Sequence, residues 1–260
     1  MQNLLLTISG PSAVGKKSIM EGVVINCKKG AFASSFSRVV LYNSREKRKA
    51  EKDGVDYHFI NIQNDLQSKR VSKFKQLCHL NRDEIHTGVK KLYNNFYAYR
   101  NYGEDIQAID LEQITNSITL LEIKDVFLDE LRKKKKFNSF IKTHKIKVIS
   151  CFIAPLALSE LERQSSLSGI SQRTIVEREV DKRIRSRIKK GVSNESNSQI
   201  RRRASSGADE VLRAYSKQIN YDAIFVNSFI GTNMNPEQEK IARSSNSQKI
   251  INEIMELVNR

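Results

Sequence analysis

GPSAVGKKS, residues 10–18, follows directly on the apolar run LLLTIS at residues 4–9 and opens a segment of helical periodicity. Gly10 and Gly15 enclose four residues, and Lys16 follows the second glycine. In a strand–loop–helix unit of this kind, glycines let backbone N–H groups converge on phosphate oxygens, and the lysine reaches the β- and γ-phosphates. The stretch therefore predicts a phosphate loop at the end of a first strand.

The residue after the loop lysine departs from the strict form of this pattern. A Ser or Thr hydroxyl is expected there as a magnesium ligand, but the sequence has Lys17, and Ser18 brings a hydroxyl one position later. The alternative interpretation is a strand–helix turn that contains glycine and binds no ligand. The placement of both glycines and of the lysine favours the phosphate loop.

Basic residues outnumber acidic ones throughout the composition. The 260 residues include 45 Lys and Arg against 29 Asp and Glu, a net charge of +16, which favours phosphate-bearing partners. Cys27, Cys78 and Cys151 are odd in number and widely spaced, so we expect neither disulfides nor a zinc site, and a cytoplasmic location. The chain has no run approaching 18 apolar residues, so we expect no membrane span.

Short apolar runs alternate with helical patterns along the chain, which predicts an α/β fold with a parallel sheet flanked by helices. Three polar stretches, 61–95, 164–200 and 229–246, are typical of insertions or loops. The predicted strands are 4–9, 38–42, 118–123, 148–154 and 223–227, and the predicted helices are 16–29, 105–117, 124–136, 157–163, 173–188, 199–218 and 245–259.

A second segment, VLYNSREKRKAEKDGVDYHFI at residues 40–60, has the chemistry of a phosphate-binding site. Arg45 and Arg48 lie three positions apart, and arginine offers bidentate hydrogen bonds that suit phosphate oxygens. Tyr57 adds a hydroxyl. By itself this pattern is weak, because paired arginines are common in a basic chain.

Together with the loop, this segment resembles the acceptor region of guanylate kinases, S-x-T-T-R-x-x-R-x-x-E-x-x-G-x-D-Y-x-F. Further resemblances follow in the family's order: NYG at 101–103, LLEI at 120–123, FIAP at 152–155 and YDAIFVN at 221–227. The residues of the acceptor segment that keep the family's spacing without a gap are Ser44, Arg45, Arg48, Glu51, Gly54, Asp56, Tyr57 and Phe59.

The resemblance implies a P-loop nucleoside monophosphate kinase-like fold, with an acceptor-binding subdomain and a mobile lid. It implies a single domain over 1–260, in which 1–36, 104–163 and 204–260 form the core, 37–103 the acceptor subdomain, and 164–203 the lid with an insertion. The implied activity is ATP-dependent phosphoryl transfer to a nucleoside monophosphate, with GMP favoured and magnesium bound with ATP. Nucleic-acid binding is not expected, and monomer and dimer both stay open.

The resemblance also assigns roles to particular residues. Lys16, Arg45 and Arg203 are expected to be catalytic, and Ser18 to be a magnesium ligand through ATP. The acceptor would be bound by Arg45, Arg48, Tyr57, Tyr102 and Glu122. ATP would be bound by Gly10, Pro11, Ser12, Ala13, Val14, Gly15, Lys16, Lys17, Ser18, Lys190 and Asn227.

Two frames are open for the lid arginine. In the first, Ile200–Ala204 matches the family's I-x-x-R segment, which makes Arg203 the lid arginine and places Lys190-Gly191 where Arg-Gly is expected. In the second, Arg183 takes this role, but too many residues then precede the last strand. We favour Arg203.

The positions that read the guanine base in the family differ in this chain. Leu41 occupies one of them, the second falls at residues 93–95 without a carboxylate, and Lys124 replaces an acidic residue. The alternative function is therefore a non-catalytic guanylate kinase-like module that uses the acceptor arginines to bind a phosphorylated ligand or peptide.

Overall fold

The computed structural model describes residues 3–29, 36–49, 51–60, 69–80, 85, 89–93, 96–100, 105–114, 118–191, 195–228 and 236–259. The chain forms two compact units. The first contains Met1–Phe36, Asn116–Asp125 and Ile146–Arg260, and the second contains Ser37–Thr115 and Val126–Lys145.

Strands and α-helices both occur along the whole of the described chain, in part as runs of successive strands or successive helices. The strands are β1 (Asn3–Ser9), β2 (Phe36–Arg38), β3 (Tyr42–Asn43), β4 (His58–Phe59), β5 (Lys90–Tyr93), β6 (Phe96–Arg100), β7 (Ile106–Asp110), β8 (Ile118–Glu122), β9 (Ile146–Ala154) and β10 (Ala223–Val226). The α-helices are α1 (Lys16–Lys29), α2 (Lys69–Leu80), α3 (Asp125–Arg132), α4 (Lys135–Thr143), α5 (Leu158–Ser168), α6 (Gln172–Lys189), α7 (Asn197–Tyr215) and α8 (Pro236–Asn259).

The first sheet has the strand order β10-β9-β1-β8-β2, and β1 pairs in parallel with both β8 and β9. Alternate residues of β9 pack on opposite sides: Ile149, Cys151 and Ile153 join the core formed with α1 and α8, while Phe152 and Ala154 join the core formed with α5, α6 and α7. Helices therefore cover both faces, which explains why these strands are almost continuously apolar. The predicted parallel α/β fold is confirmed.

The second unit contains a sheet of strand order β4-β3-β7-β6-β5, which is antiparallel except for the β3–β4 pair. Its core is aromatic, with Tyr42, Phe74 and Phe96 in mutual ring contact. Phe74 comes from α2, so part of the stretch 61–95 that the sequence indicated as an insertion contributes to this core.

The predicted helix at 105–117 is wrong. Residues 106–110 form β7 and are buried throughout, and a short 3-10 helix at Leu111–Gln113 follows. Ile106 and Ile109 have the i, i+3 spacing of a helix face, but residues 106–110 pair antiparallel with β6 instead. The buried side chain of Gln107 accepts a hydrogen bond from the Tyr99 hydroxyl at 2.8 Å, so its polar group is satisfied inside the protein. The apolar–polar pattern of the sequence alone does not reveal such a buried polar residue.

Other predicted boundaries shift. The strand expected at 38–42 is divided into β2 and β3, and the helix expected at 124–136 becomes α3 and the start of α4. The stretch 164–200 is largely helical: Gly169, at φ 66°, ends α5, and α6 follows after the N-cap Ser171. Among the described residues, no helix combines the length and the apolar character needed to cross a membrane.

Candidate functional site

The loop between β1 and α1 has a backbone that requires its glycines. Gly10 has φ 141° and Gly15 has φ 93°. A Cβ on Gly10 would lie 2.4 Å from the carbonyl oxygen of Ile153 in β9, and a Cβ on Gly15 would lie 2.6 Å from the Asn227 amide nitrogen. Any side chain at these positions would therefore displace backbone or a hydrogen-bonded amide.

Lys16, the first residue of α1, folds back over this loop. Its Nζ donates to the carbonyl oxygens of Gly10 at 2.8 Å and Pro11 at 3.0 Å, and lies 3.6 Å from the carboxylate of Glu122. The ammonium group is thus fixed beside the first turn of a helix, where orphan N–H groups and the helix dipole favour an anion. Glu122 therefore lies next to the loop lysine in the first unit, whereas the resemblance assigned Glu122 to binding of the acceptor.

The remaining loop residues differ in exposure. Pro11, Ser12 and Val14 are buried and Ala13 is half-buried, whereas Lys17 and Ser18 are exposed at the start of α1. Ala13 has φ 61°, which is uncommon for a residue other than glycine. Ser18 is exposed to solvent, as the predicted role of magnesium ligand requires.

Asn227 supports the loop from the end of β10. Its side-chain amide donates to the Val14 carbonyl oxygen at 2.7 Å, while its side-chain oxygen accepts from Asn246 of α8 at 2.9 Å. The sequence resemblance assigned Asn227 to ATP binding. In the structure, these two hydrogen bonds also fix its side chain against the loop. Asn246 gave no sequence signal, because one Asn in a polar segment is unremarkable.

One face of α7 lies along the loop and the end of β8. Arg203 donates from Nε to the Ser12 hydroxyl at 3.0 Å, and a Cβ on Gly207 would lie 3.0 Å from the Pro11 Cβ. These two residues are one helical turn apart, so they belong to the same face. Helix α7 therefore lies against the loop on two consecutive turns.

The same face continues toward β8 through charged groups. Lys124 donates to the Ser206 hydroxyl at 3.5 Å, and Arg213 forms an ion pair of 2.8 Å with the buried carboxylate of Asp125. Burial lowers the pKa of Lys124 below its ordinary value, while the carboxylates of Glu210 and Asp125 oppose that change. The replacement of the family's acidic residue by Lys124 is thus accompanied by acidic groups around it.

The structure brings Arg203, and not Arg183, to the loop. Besides its bond to Ser12, Arg203 forms an ion pair with Glu195. Arg183 lies in α6, is 5% exposed, and donates to Glu179 at 2.7 Å and to the Pro155 carbonyl at 3.1 Å. Lys190 is exposed at the end of α6.

The acceptor segment lies in the second unit, where Arg45 is its central residue. Both terminal nitrogens of Arg45 bind the Glu51 carboxylate, at 2.7 and 2.5 Å, and its guanidinium lies 5.2 Å from the ring centre of Tyr57. The backbone N–H of Arg48 also donates to Glu51, at 2.9 Å. Arg45 and Arg48 therefore meet at one carboxylate, and the ring of Tyr57 lies beside Arg45. Tyr102 lies outside the described residues.

Hydrogen bonds explain why Glu51 stays ionised although it is largely buried. Burial raises the pKa of a carboxyl group, but the bonds from Arg45 and from the Arg48 backbone outweigh burial and hold the pKa of Glu51 below its ordinary value.

The resemblance assigns the reading of the base to two places in this chain. Of these, Leu41 is buried in the core, and the side chains at 93–95 lie outside the described residues.

A parallel sheet whose first strand ends in a glycine-bounded loop, with a lysine folded over it, is the arrangement that characterises the class of P-loop α/β proteins. The family model described as Guanylate kinase matches residues 2–189. The chain belongs to the guanylate kinase family.

Individual relatives are distant. Guanylate kinase 1 of Arabidopsis thaliana is 27% identical over 192 residues, which cover 73% of this chain and 40% of that protein. A guanylate kinase of Listeria monocytogenes is 27% identical over 180 residues, which cover 69% of this chain and 72% of that protein. The crystal structure of a guanylate kinase from Anaplasma phagocytophilum has 17% identity and a TM-score of 0.39, and the alignment covers 95% of this chain and 86% of that one.

The family match ends before several residues that contact the loop. Arg203, Gly207 and Asn227 all follow residue 189, as does Glu195. The sequence indicated Arg203 and Asn227 through short motifs. Glu195 and Gly207 were missed, because their only sequence context is a polar segment and a helical pattern.

Proposed function

We propose that this chain transfers the γ-phosphoryl group of ATP to a nucleoside monophosphate, with GMP as the favoured acceptor. The observation that carries the proposal is the pair of cations on the loop. Lys16 is held on the carbonyl groups of Gly10 and Pro11, and Arg203 is held on Ser12. A loop with two positioned cations suits a polyphosphate, since phosphoryl transfer depends mainly on positioning and charge neutralisation.

The proposed roles follow from these positions. Backbone N–H groups of residues 10–18 would bind the phosphates of ATP, Lys16 would neutralise charge on the transferring group, and Arg203 would do so from α7. Magnesium fits this donor set, since the exposed Ser18 hydroxyl offers one oxygen ligand and the phosphates of ATP offer others. The ion would neutralise charge on the phosphates.

The proposed acceptor site uses the second unit. Arg45, Arg48 and Tyr57 would hold the α-phosphate of the monophosphate, as the family resemblance implies. Arg45 is already fixed by Glu51, so its guanidinium loses little side-chain freedom on binding. The preference for GMP rests on family membership, because Leu41 presents no hydrogen-bonding group.

A coupled assay of ADP release tests this function. ATP is offered with GMP, dGMP, AMP, UMP or CMP, and ADP formation should be fastest with GMP. Lys16→Met should reduce the rate at least a hundredfold, because a positioned cation is worth several kcal/mol to charge developing in the transition state. Lys28→Met, an exposed lysine of the same helix, is the matched control. Full activity of Lys16→Met would refute the proposal.

The second candidate is a binding module for a phosphorylated ligand or peptide. The buried Leu41 at a base-reading position favours it. This alternative predicts that a phosphopeptide binds through Arg45 and Arg48 while no monophosphate accepts a phosphoryl group. The fixed geometry of Gly10, Gly15 and Lys16 favours the kinase, because a peptide-binding module does not use an ATP loop.

A further inference from the structure

The guanidinium of Arg203 is fixed by groups on two sides. Its Nε donates to the hydroxyl of Ser12 in the phosphate loop at 3.0 Å, and its Nη1 donates to the carboxylate of Glu195. Both side chains are largely withdrawn from water, with 14% of Arg203 and 6% of Glu195 exposed. Water and salt therefore screen this ion pair far less than an exposed pair.

Glu195 is placed by the start of α7. The next residue, Ser196, is the N-cap, and its side chain and backbone form a capping box with Gln199. A capping box fixes the direction in which the chain enters a helix. The carboxylate is thus positioned by local structure, and Arg203 lies two turns further along the same helix.

The position of the Glu195 carboxylate, one arginine away from a phosphate loop, requires a physical explanation. By itself it would repel the phosphates of a nucleotide, and burying it without a partner would be costly. Within the described part of the chain, Oε2 of Glu195 has no hydrogen-bond partner. The ion pair with Arg203 is thus the interaction that compensates for the burial of the Glu195 carboxylate, and the same ion pair orients the Arg203 cation at the loop.

We propose that Glu195 is a positioning residue, which holds the guanidinium of Arg203 on Ser12 so that its other N–H groups serve the transferring phosphoryl group. Arginine has five N–H donors in a rigid plane, and Ser12 and Glu195 fix that plane by two of its nitrogens. The inference rests on the proposed phosphoryl transfer for its catalytic consequence. It assigns a role to a residue beyond the family match, which ends at residue 189.

A structural role for Glu195 predicts a different outcome. If the carboxylate only stabilised the entry to α7, its removal would lower the free energy of unfolding but would act independently of Arg203. If it acts through Arg203, its removal has no further effect on catalysis once the guanidinium is absent. A double-mutant cycle separates these two roles.

The kinetic experiment compares the wild type with Glu195→Gln, Glu195→Asp, Arg203→Met and the double variant Glu195→Gln/Arg203→Met. At saturating ATP and GMP, Glu195→Gln should lower kcat about tenfold with less than a twofold change in the KM for GMP, since an orienting charged hydrogen bond is lost. Glu195→Asp should recover part of that loss, and the double variant should be no slower than Arg203→Met. Multiplicative effects in the double variant, or an unchanged kcat in Glu195→Gln, would overturn the proposal.

A second measurement is independent of activity. The Nε–H resonance of Arg203, identified by its absence in Arg203→Met, should exchange slowly with water in the wild type and about tenfold faster in Glu195→Gln. Glu160→Gln is the matched control, because it removes an exposed carboxylate from an arginine pair on α5; it should leave that resonance unchanged. A wild type without phosphoryl transfer would refute the proposed function alone. An unchanged exchange rate in Glu195→Gln would refute the role of Glu195.

Discussion

Replacement of Gly207 by alanine tests whether α7 packs on the phosphate loop. Helix propensity alone predicts a gain of about 1 kcal/mol, because glycine is a poor residue for a helix interior. Packing predicts the opposite. The added Cβ would lie 3.0 Å from the Pro11 Cβ and 3.3 and 3.4 Å from the two methyl groups of Val180.

Ordinary carbon contacts lie at about 3.5–4.0 Å, so the helix would have to move away from Pro11 and Val180 together. Neither Pro11 nor Val180 can move easily to make room for the added methyl group. Val180 is fully buried, and Pro11 follows Gly10, which already lies against β9. Overpacking of this kind typically costs about 1–3 kcal/mol. We therefore expect Gly207→Ala to lower the free energy of unfolding by about 1 kcal/mol after the gain in propensity, where propensity alone would raise it.

Urea unfolding and titration with a fluorescent ATP analogue measure the two consequences. Displacement of the loop should weaken binding of the analogue roughly tenfold. Arg202→Ala, at an exposed position of the same helix, is the control and should change the free energy of unfolding by less than about 0.5 kcal/mol. A more stable Gly207→Ala protein with unchanged nucleotide affinity would show that α7 does not pack on the loop.

Two further predictions concern the acceptor segment and the metal ligand. Glu51→Gln should lower the free energy of unfolding by about 2 kcal/mol at neutral pH, because it leaves Arg45 without its charged partner. Since the pKa of Glu51 is lowered in the folded state, its contribution is present above the ordinary carboxyl pKa of about 4.3 and is lost as pH falls through the folded value. Urea unfolding from pH 7 to 3 should therefore show a smaller acid loss in Glu51→Gln than in the control Glu46→Gln, and equal losses would contradict the prediction. Ser18→Ala should raise the magnesium concentration for half-maximal activity about tenfold, as expected for a lost oxygen ligand, while Ser18→Thr should not; equal magnesium dependence in both variants would exclude Ser18 as a ligand.

Much of the first unit was predictable because its signals are local. The run at 4–9, the glycine spacing of the loop and the periodicity of 16–29 are each complete within a few residues, and β1 and α1 are found there. The strands at 118, 146 and 223 were also recognised within two residues of their starts, since burial on both faces leaves a continuous apolar run.

The segment 105–117 shows where local patterns fail. Its apolar spacing suits a helix, yet the chain pairs with β6 and buries Gln107 and Asp110 by giving each a hydrogen bond. For the lid arginine, the sequence favoured Arg203 over Arg183 only through a short motif match and the distance to the last strand. The choice depends on which guanidinium reaches Ser12, which is 191 residues away from Arg203 in the chain.

The sequence by itself determined a parallel α/β fold, and it predicted a phosphate loop at residues 10–18 and an acceptor segment around Arg45, because glycine spacing, periodicity and motif order are properties of neighbouring residues. Only the tertiary structure decided that Arg203, Gly207 and Asn227 meet at this loop, and that Glu195 holds the first of them. The contacts of Arg203 and Asn227 with the loop join residues 191 and 213 positions apart in the chain, and they form because α7 and the end of β10 are packed beside the end of β1.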